Sequence, residues 1–359
     1  MCGDELISYA WPHVGHRLRL APVSVAELEA AVRATWDREA IAIYADHLQA
    51  IGDPRGELVA IDLRIDAGDA GPEVLARRTE LIHQWFGADL PPGIVRYGFV
   101  DVDASGMGPR SQLEIALRGP GAQFIRSVTL AGPHDDLRAA LDELPRERRP
   151  WLTSLTVRHW DEKEGPVCLL PATRKLFSRL PALTSLTLEG RRILSAWAHP
   201  RVERLRITGY DAIDLTSAEV WPSLRELDFA FQCQYSTDHR DPGFTAISQL
   251  LRTETIPALA TLDLSRNERG HLEPRSLGGG VVISAFFTRF ANHPNLATAR
   301  LPSLPHETAV DAVERTLATL PAVRDVAVFA PSKRMPVHPT ATIREIPIVE
   351  APPGPLRLA

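Results

Sequence analysis

Apolar and polar positions along this chain fall into a recurring octet, Pro-x-Φ-x-x-Φ-x-Φ, in which Φ is mostly Leu, Val or Ile. It starts at Pro92, Pro150, Pro181, Pro200, Pro222, Pro257, Pro294 and Pro321. In the clearest copies the apolar positions are Leu183, Leu186 and Leu188, and Leu224, Leu227 and Phe229. Two segments keep the apolar spacing without the proline: Ile125, Val128 and Leu130, and Ile343, Ile346 and Ile348. The closing Φ-x-Φ has the period of a strand with one apolar side. The Φ three residues earlier tucks under that strand as the chain enters it. Proline fixes φ and disfavours helix in the residue before it, so it ends whatever helix precedes.

Between octets the apolar spacing becomes helical. Helices are predicted over 136–149, 172–180, 244–255, 281–293 and 307–320, where apolar residues recur three and four apart. One strand plus one helix, repeated, predicts an α/β solenoid with a curved parallel sheet. The octets resemble the Leu-x-x-Leu-x-Leu core of leucine-rich repeats, and Leu259–Asn267 also has that family's asparagine. Elsewhere the asparagine position holds Trp160, Tyr210, Gln232 or a loop residue, so the ladder is degenerate. The expected architecture is an irregular leucine-rich-repeat solenoid over 91–330, followed by a proline-rich segment, 331–359, with one further strand.

Residues 1–90 read differently. Ser24 caps a helix over 25–35, Asp37 precedes one over 38–50, and another spans 72–86. Between them Gly52 closes one helix, Asp53 caps the next and Pro54 takes its first position. Asp46, Asp53, Arg55 and Glu57 have a second reading as a small polar site, but capping accounts for each residue type. Tyr44, Ala45, Asp46 and Leu48, then Gly52 through Glu57 and an apolar run, resemble the repeat-companion domain found N-terminal to degenerate leucine-rich repeats in bacterial paralogous families. The resemblance covers about the first quarter of the chain and departs at His47, where that family has an aromatic. It implies a family context without a chemistry. Such an α-helical module is expected to cap the solenoid's open N-terminal end.

Composition narrows the function. A net charge of −5 over 359 residues gives no whole-molecule attraction to nucleic acid or an anionic membrane. Cys2, Cys168 and Cys233 lie too far apart in sequence for a disulfide framework or a paired-cysteine metal site. The N-terminus has no signal-peptide core, and no apolar run approaches the ~20 residues of a membrane span. A cytoplasmic protein without cofactor is expected. The 30 prolines would be too many for a helical bundle, and eight of them open the octets.

Candidate chemistry is sparse. Cys233, Ser236, Asp238 and His239 crowd one predicted loop, but a nucleophile and its base seldom meet productively as neighbours along one loop. Gly278–Gly280 precede a helix without the Lys-Ser/Thr of a phosphate loop. Pro145–Arg149 reads as a solvated helix end, and His199 and His293 as turn residues.

The strands' outward positions carry the functional expectation. They hold Arg158, Glu189, Arg204, Arg206, Glu226, Asp228, Asp263 and Arg300, with threonines between. Trp160, Tyr210, Gln232 and Tyr235 follow the strand ends along one rim. Arginines and aromatics beside opposite charges are typical of protein interfaces. The reading is a non-enzymatic module that binds a partner protein on the concave face, as adaptor, inhibitor or sensor. The alternatives are an enzyme or effector using the Cys233–His239 loop, and a structural scaffold in a larger assembly.

Overall fold

The computed structural model describes residues 24–86, 93–106, 108–159, 173–190, 198–209, 220–231, 254–266, 293–301, 304, 307–329 and 335–346. The chain divides into two compact units, Met1–Ala70 and Gly71–Ala359.

The first unit holds helices α1 (Val25–Thr35), α2 (Arg38–Ala50) and α3 (Pro54–Asp66). Ser24 and Glu27 form a reciprocal capping box at α1, and Asp37 accepts from the Ala40 amide at α2. At the end of α2 the amides of Gly52 and Asp53 return to the carbonyls of Gln49 and Leu48, with Gly52 at φ +74°. This pairing satisfies two carbonyls that the helix end would otherwise leave open. Asp53 then caps α3 through the Arg55 amide, 2.9 Å away. Gly56 lies against α2, where an added Cβ would sit 2.6 Å from the Gln49 nitrogen. The helices pack closely there because that side chain is missing.

The second unit is built on one eleven-stranded sheet whose strands neighbour each other in sequence order. They are β1 (Gly93–Arg96), β2 (Phe99–Ser105), β3 (Ile125–Gly132), β4 (Ser154–His159), β5 (Ser185–Gly190), β6 (Arg204–Gly209), β7 (Glu226–Phe231), β8 (Thr261–Asp263), β9 (Thr298–Leu301), β10 (Asp325–Phe329) and β11 (Thr342–Ile346). Every pairing is parallel except β1 with β2. The described helices of this unit are α4 (Pro72–Phe86), α5 (Pro109–Arg118), α6 (His134–Glu143), α7 (Thr173–Ser178) and α8 (Glu307–Leu317).

The octet's middle Φ forms one column across the sheet. Leu155, Leu186, Leu205, Leu227, Leu262, Ala299 and Val326 are register partners from β4 to β10, and each is at most 1% exposed. A parallel column runs through Ala104, Leu130, Val157, Leu188, Ile207 and Phe229. The same inward place is held by Val328 on β10, and its partner on β11 is Glu345, which is exposed. Helix residues Leu113, Leu137, Leu141, Leu176, Val310 and Val313 join these columns in one core.

Main-chain bonds stitch each strand's lead-in to the previous one. Thr153, Thr184, Glu203, Arg225, Ala260, Ala297 and Arg324 each donate an amide to the carbonyl at the same place one unit earlier. The residue after the octet proline repeats the theme with its side chain: Ser223 donates to the Pro200 carbonyl at 2.6 Å and Asn295 to that of Pro257 at 2.9 Å.

The residue before the proline is the buried anchor. His199 and His293, read from sequence as turn residues, are 2% and 0% exposed and reach the carbonyls of Leu180 and Ile256. Arg149 holds this place ahead of Pro150. Instead of lying in solvent, it is 3% exposed, and its guanidinium donates to the Ala122 carbonyl. Burial holds its pKa below the usual arginine value.

Other expectations are corrected at the sheet's first edge. The octet at Pro92 is not a parallel repeat. Ile94 lies on β1, which turns back antiparallel through Tyr97 (φ 52°) and Gly98 (φ 71°) into β2. Two successive positive φ values match the hairpin turn whose twist suits paired strands. Helix α5 was not foreseen, and the expected helix over 136–149 is the shorter α6 followed by a 3-10 turn at Leu144–Arg146. Helix α4 lies in the second unit: Arg78 donates to the Val95 carbonyl, and the Trp85 ring is 5.6 Å from that of Phe124. The expected helices over 244–255 and 281–293 fall almost wholly outside the described residues.

Candidate functional site

Parallel pairing in register stacks like positions of successive octets. On the face away from the core this produces two polar columns. The first runs Asp101, Ser127, Ser154, Ser185, Arg204, Glu226, Thr261, Thr298, Asp325 and Thr342. The second runs Asp103, Thr129, Thr156, Thr187, Arg206, Asp228, Asp263 and Arg300, with Arg344 beyond. Threonine suits both demands here, since its β-branch favours the strand and its hydroxyl tolerates water.

Charges on this face are paired across neighbouring strands. Arg158 approaches Glu189 at 3.5 Å, Arg206 meets Asp228 at 2.6 Å and Arg300 meets Asp263 at 3.1 Å. Arg344 meets Asp325 at 2.8 Å, and Asp101 is held by Arg126 and by the Ser127 hydroxyl. Asp228 joins two arginines: besides Arg206, Arg266 contacts both its oxygens, at 2.8 and 3.0 Å, and also donates to the Thr208 hydroxyl. Such cross-strand pairs each contribute roughly 0.2–1 kcal/mol. Most charges on this face thus sit in neutralised pairs, set by register across strands and not by order along the chain.

Between β4 and β9 these residues line a trough of about 390 Å³. Its walls include Ser154, Ser185, Thr187, Arg204, Arg206, Glu226, Asp228, Asp263 and Arg300. Six of the expected binding residues therefore share one depression, while Arg158 and Glu189 form a pair outside its lining. Trp160, Tyr210, Gln232 and Tyr235 lie outside the described residues, as do Cys233, Ser236, Asp238, His239 and the glycines at 278–280. Arg266 was missed in the sequence. It lies three residues past Asp263, off the strand period of two, which points to Ser265, so the octet pattern does not mark it.

No protein-family model matches the chain, and no curated protein matches it. Among the described residues no group of three or more His, Cys, Asp or Glu side chains is placed to hold a metal ion. No described helix is long and apolar enough to cross a membrane.

Asp53 and Arg55 of the first unit are used internally. Arg55 is 9% exposed, contacts Asp53 through Nε and Nη2, and donates to the Tyr44 hydroxyl at 2.9 Å. Burial opposes the charge on Arg55, and Asp53 with Tyr44 outweighs it, holding the pKa above the usual value. Burial likewise pushes the Tyr44 hydroxyl well above its ordinary range. Asp53 and Arg55 thus join α2 to α3, while Asp46 remains exposed on α2.

Proposed function

We propose that this chain is a leucine-rich-repeat solenoid that recognises another protein on the outward face of its sheet. One observation carries the reading: outward side chains of β4–β9 stack in register around a shallow polar trough. Strands about 4.8 Å apart make that stretch roughly 24 Å across. Small-molecule sites are mostly enclosed and apolar. A broad surface of hydroxyls and charges suits a macromolecule, with its own charges read by complementarity. The octet's resemblance to leucine-rich repeats supports the architecture. The motif at Tyr44–Glu57, spent on helix capping and packing, supports a repeat-companion module with a structural role.

Site-specific photo-cross-linking tests this. A photoreactive residue at Thr187 or Thr261, on the face, is expected to yield protein adducts in cells, whereas one at Glu114 on α5 is not. Adducts from the α5 position alone would move recognition to the helical side. Adducts from neither would refute protein recognition by this sheet.

A further inference from the structure

Of the charged residues in the two polar columns, Arg204 and Glu226 alone have side chains without an ion pair or hydrogen bond among the described residues. Asp101, Arg206, Asp228, Asp263, Arg300, Asp325 and Arg344 are paired, and Asp103 accepts from the Ser105 hydroxyl. Arg204 and Glu226 are register partners on β6 and β7, both are exposed, and both line the trough. Their column continues on either side as hydroxyls, Ser185 and Ser154 before Arg204, Thr261 and Thr298 after Glu226. None of those hydroxyls has a hydrogen-bond partner among the described residues. A hydroxyl donates to a carboxylate or accepts from an ammonium equally well.

We propose that Arg204 and Glu226 together seat a helix of the partner protein, taking an acidic side chain on Arg204 and a basic one on Glu226. This rests on the protein-recognition reading above and names the partner's chemistry. Opposite charges left apart on adjacent strands offer a matching pair two separate contacts, and no existing ion pair has to break. Spacing selects the helix. Adjacent strands stand about 4.8 Å apart, whereas same-side residues of an extended segment are roughly 6.6 Å apart. Side chains one turn apart on a helix are about 5–6 Å apart, the closer match. A helix running across the strands meets β6 and β7 with residues three or four apart, and the flanking hydroxyls meet its neighbouring polar groups. Glu203 and Arg225 are not part of the trough lining, so they do not scramble the order of charge.

Display selection against the full chain tests this and needs no isolated partner. One library randomises the surface of a helix on a rigid scaffold, and a second randomises an extended loop. Selection against the unaltered protein is expected to enrich helices with an acidic and a basic residue three or four apart. Their affinity should fall about tenfold or more on Arg204→Glu/Glu226→Arg, and by a similar factor on Arg204→Gln/Glu226→Gln. Selection against the swapped protein should enrich the opposite order. Circular dichroism melting confirms that each variant is folded, and the neutral pair serves if the swap is not. Winners from the loop library with the same charge dependence would overturn the helix. Winners indifferent to both variants but lost on Thr187→Arg would overturn the charge pair and leave face recognition standing. Winners indifferent to Thr187→Arg as well would overturn both.

Discussion

His199 is bonded to Leu180 across two successive units: its Nε2 lies 3.2 Å from the Leu180 carbonyl, while its Nδ1 faces the Arg201 amide at 3.2 Å. An amide can only donate, so Nδ1 carries the lone pair and the proton sits on Nε2. The ring is therefore neutral, edge-on to Phe177 with centroids 5.5 Å apart. His293 repeats the arrangement with Ile256 and Asn295, and His338 with Leu317 and Thr340.

Acid should loosen this clasp. Burial holds the His199 pKa below its ordinary value, and Arg201 adds to the effect. The unfolded chain then binds a proton at a pH where the folded chain does not. Stability from this group is complete above about pH 6.5 and declines as pH falls toward the folded value. Urea melts at about pH 7.5 and about pH 5.5 should show a larger loss for the native chain than for His199→Gln. Gln keeps a donor for Leu180 and cannot take up the proton, so equal losses would remove His199 from the account.

The apolar column makes a second prediction. Leu205→Ala removes a side chain 1% exposed between Leu186 and Leu227, and should cost about 2–5 kcal/mol in chemical denaturation. A cost near zero would mean that the column is not tightly packed.

Two acids on β7 should behave differently. Asp228, bonded by Arg206 and Arg266, should lose about 1–3 kcal/mol as Asp228→Ala, because two guanidiniums lose the carboxylate they share. Glu226→Ala should shift stability by about 0.5 kcal/mol or less. Equal effects in thermal melts would contradict the pairing scheme.

Gly56→Ala should destabilise the first unit by about 1–3 kcal/mol, since the new Cβ meets α2 backbone instead of a yielding side chain. Loss of helical signal below the main transition would register it.

The octet makes the columns legible in the sequence, because a strand period of two and a repeated lead-in position determine which residues share a face. Capping makes the helices that start at Val25, Arg38 and Pro54 readable for the same local reason. What stayed hidden was set by a local turn or by partners far away in sequence. Ile94, Tyr97 and Phe99 satisfy the octet spacing, yet Tyr97-Gly98 turns the chain back, and the turn dipeptide outweighs the apolar pattern. Arg149 and His199 look like polar turn residues until the preceding unit's carbonyls are placed beside them. The outward residues Arg204 through Arg300 line one trough, and which of their charges pair, Arg206 with Asp228 and Arg300 with Asp263, depends on register and not on order along the chain.

Glu345 has one more consequence. It occupies the place that Leu188, Ile207 and Val328 fill on earlier strands, and it does so on the last described strand of the sheet. A further strand laid along β11, from this chain or a stranger, would bring its own covering layer and close that carboxylate off from water, at a cost of several kcal/mol unless a cation came with it. A carboxylate at this place on β11, the last strand among the described residues, thus disfavours the docking of another chain's strand there.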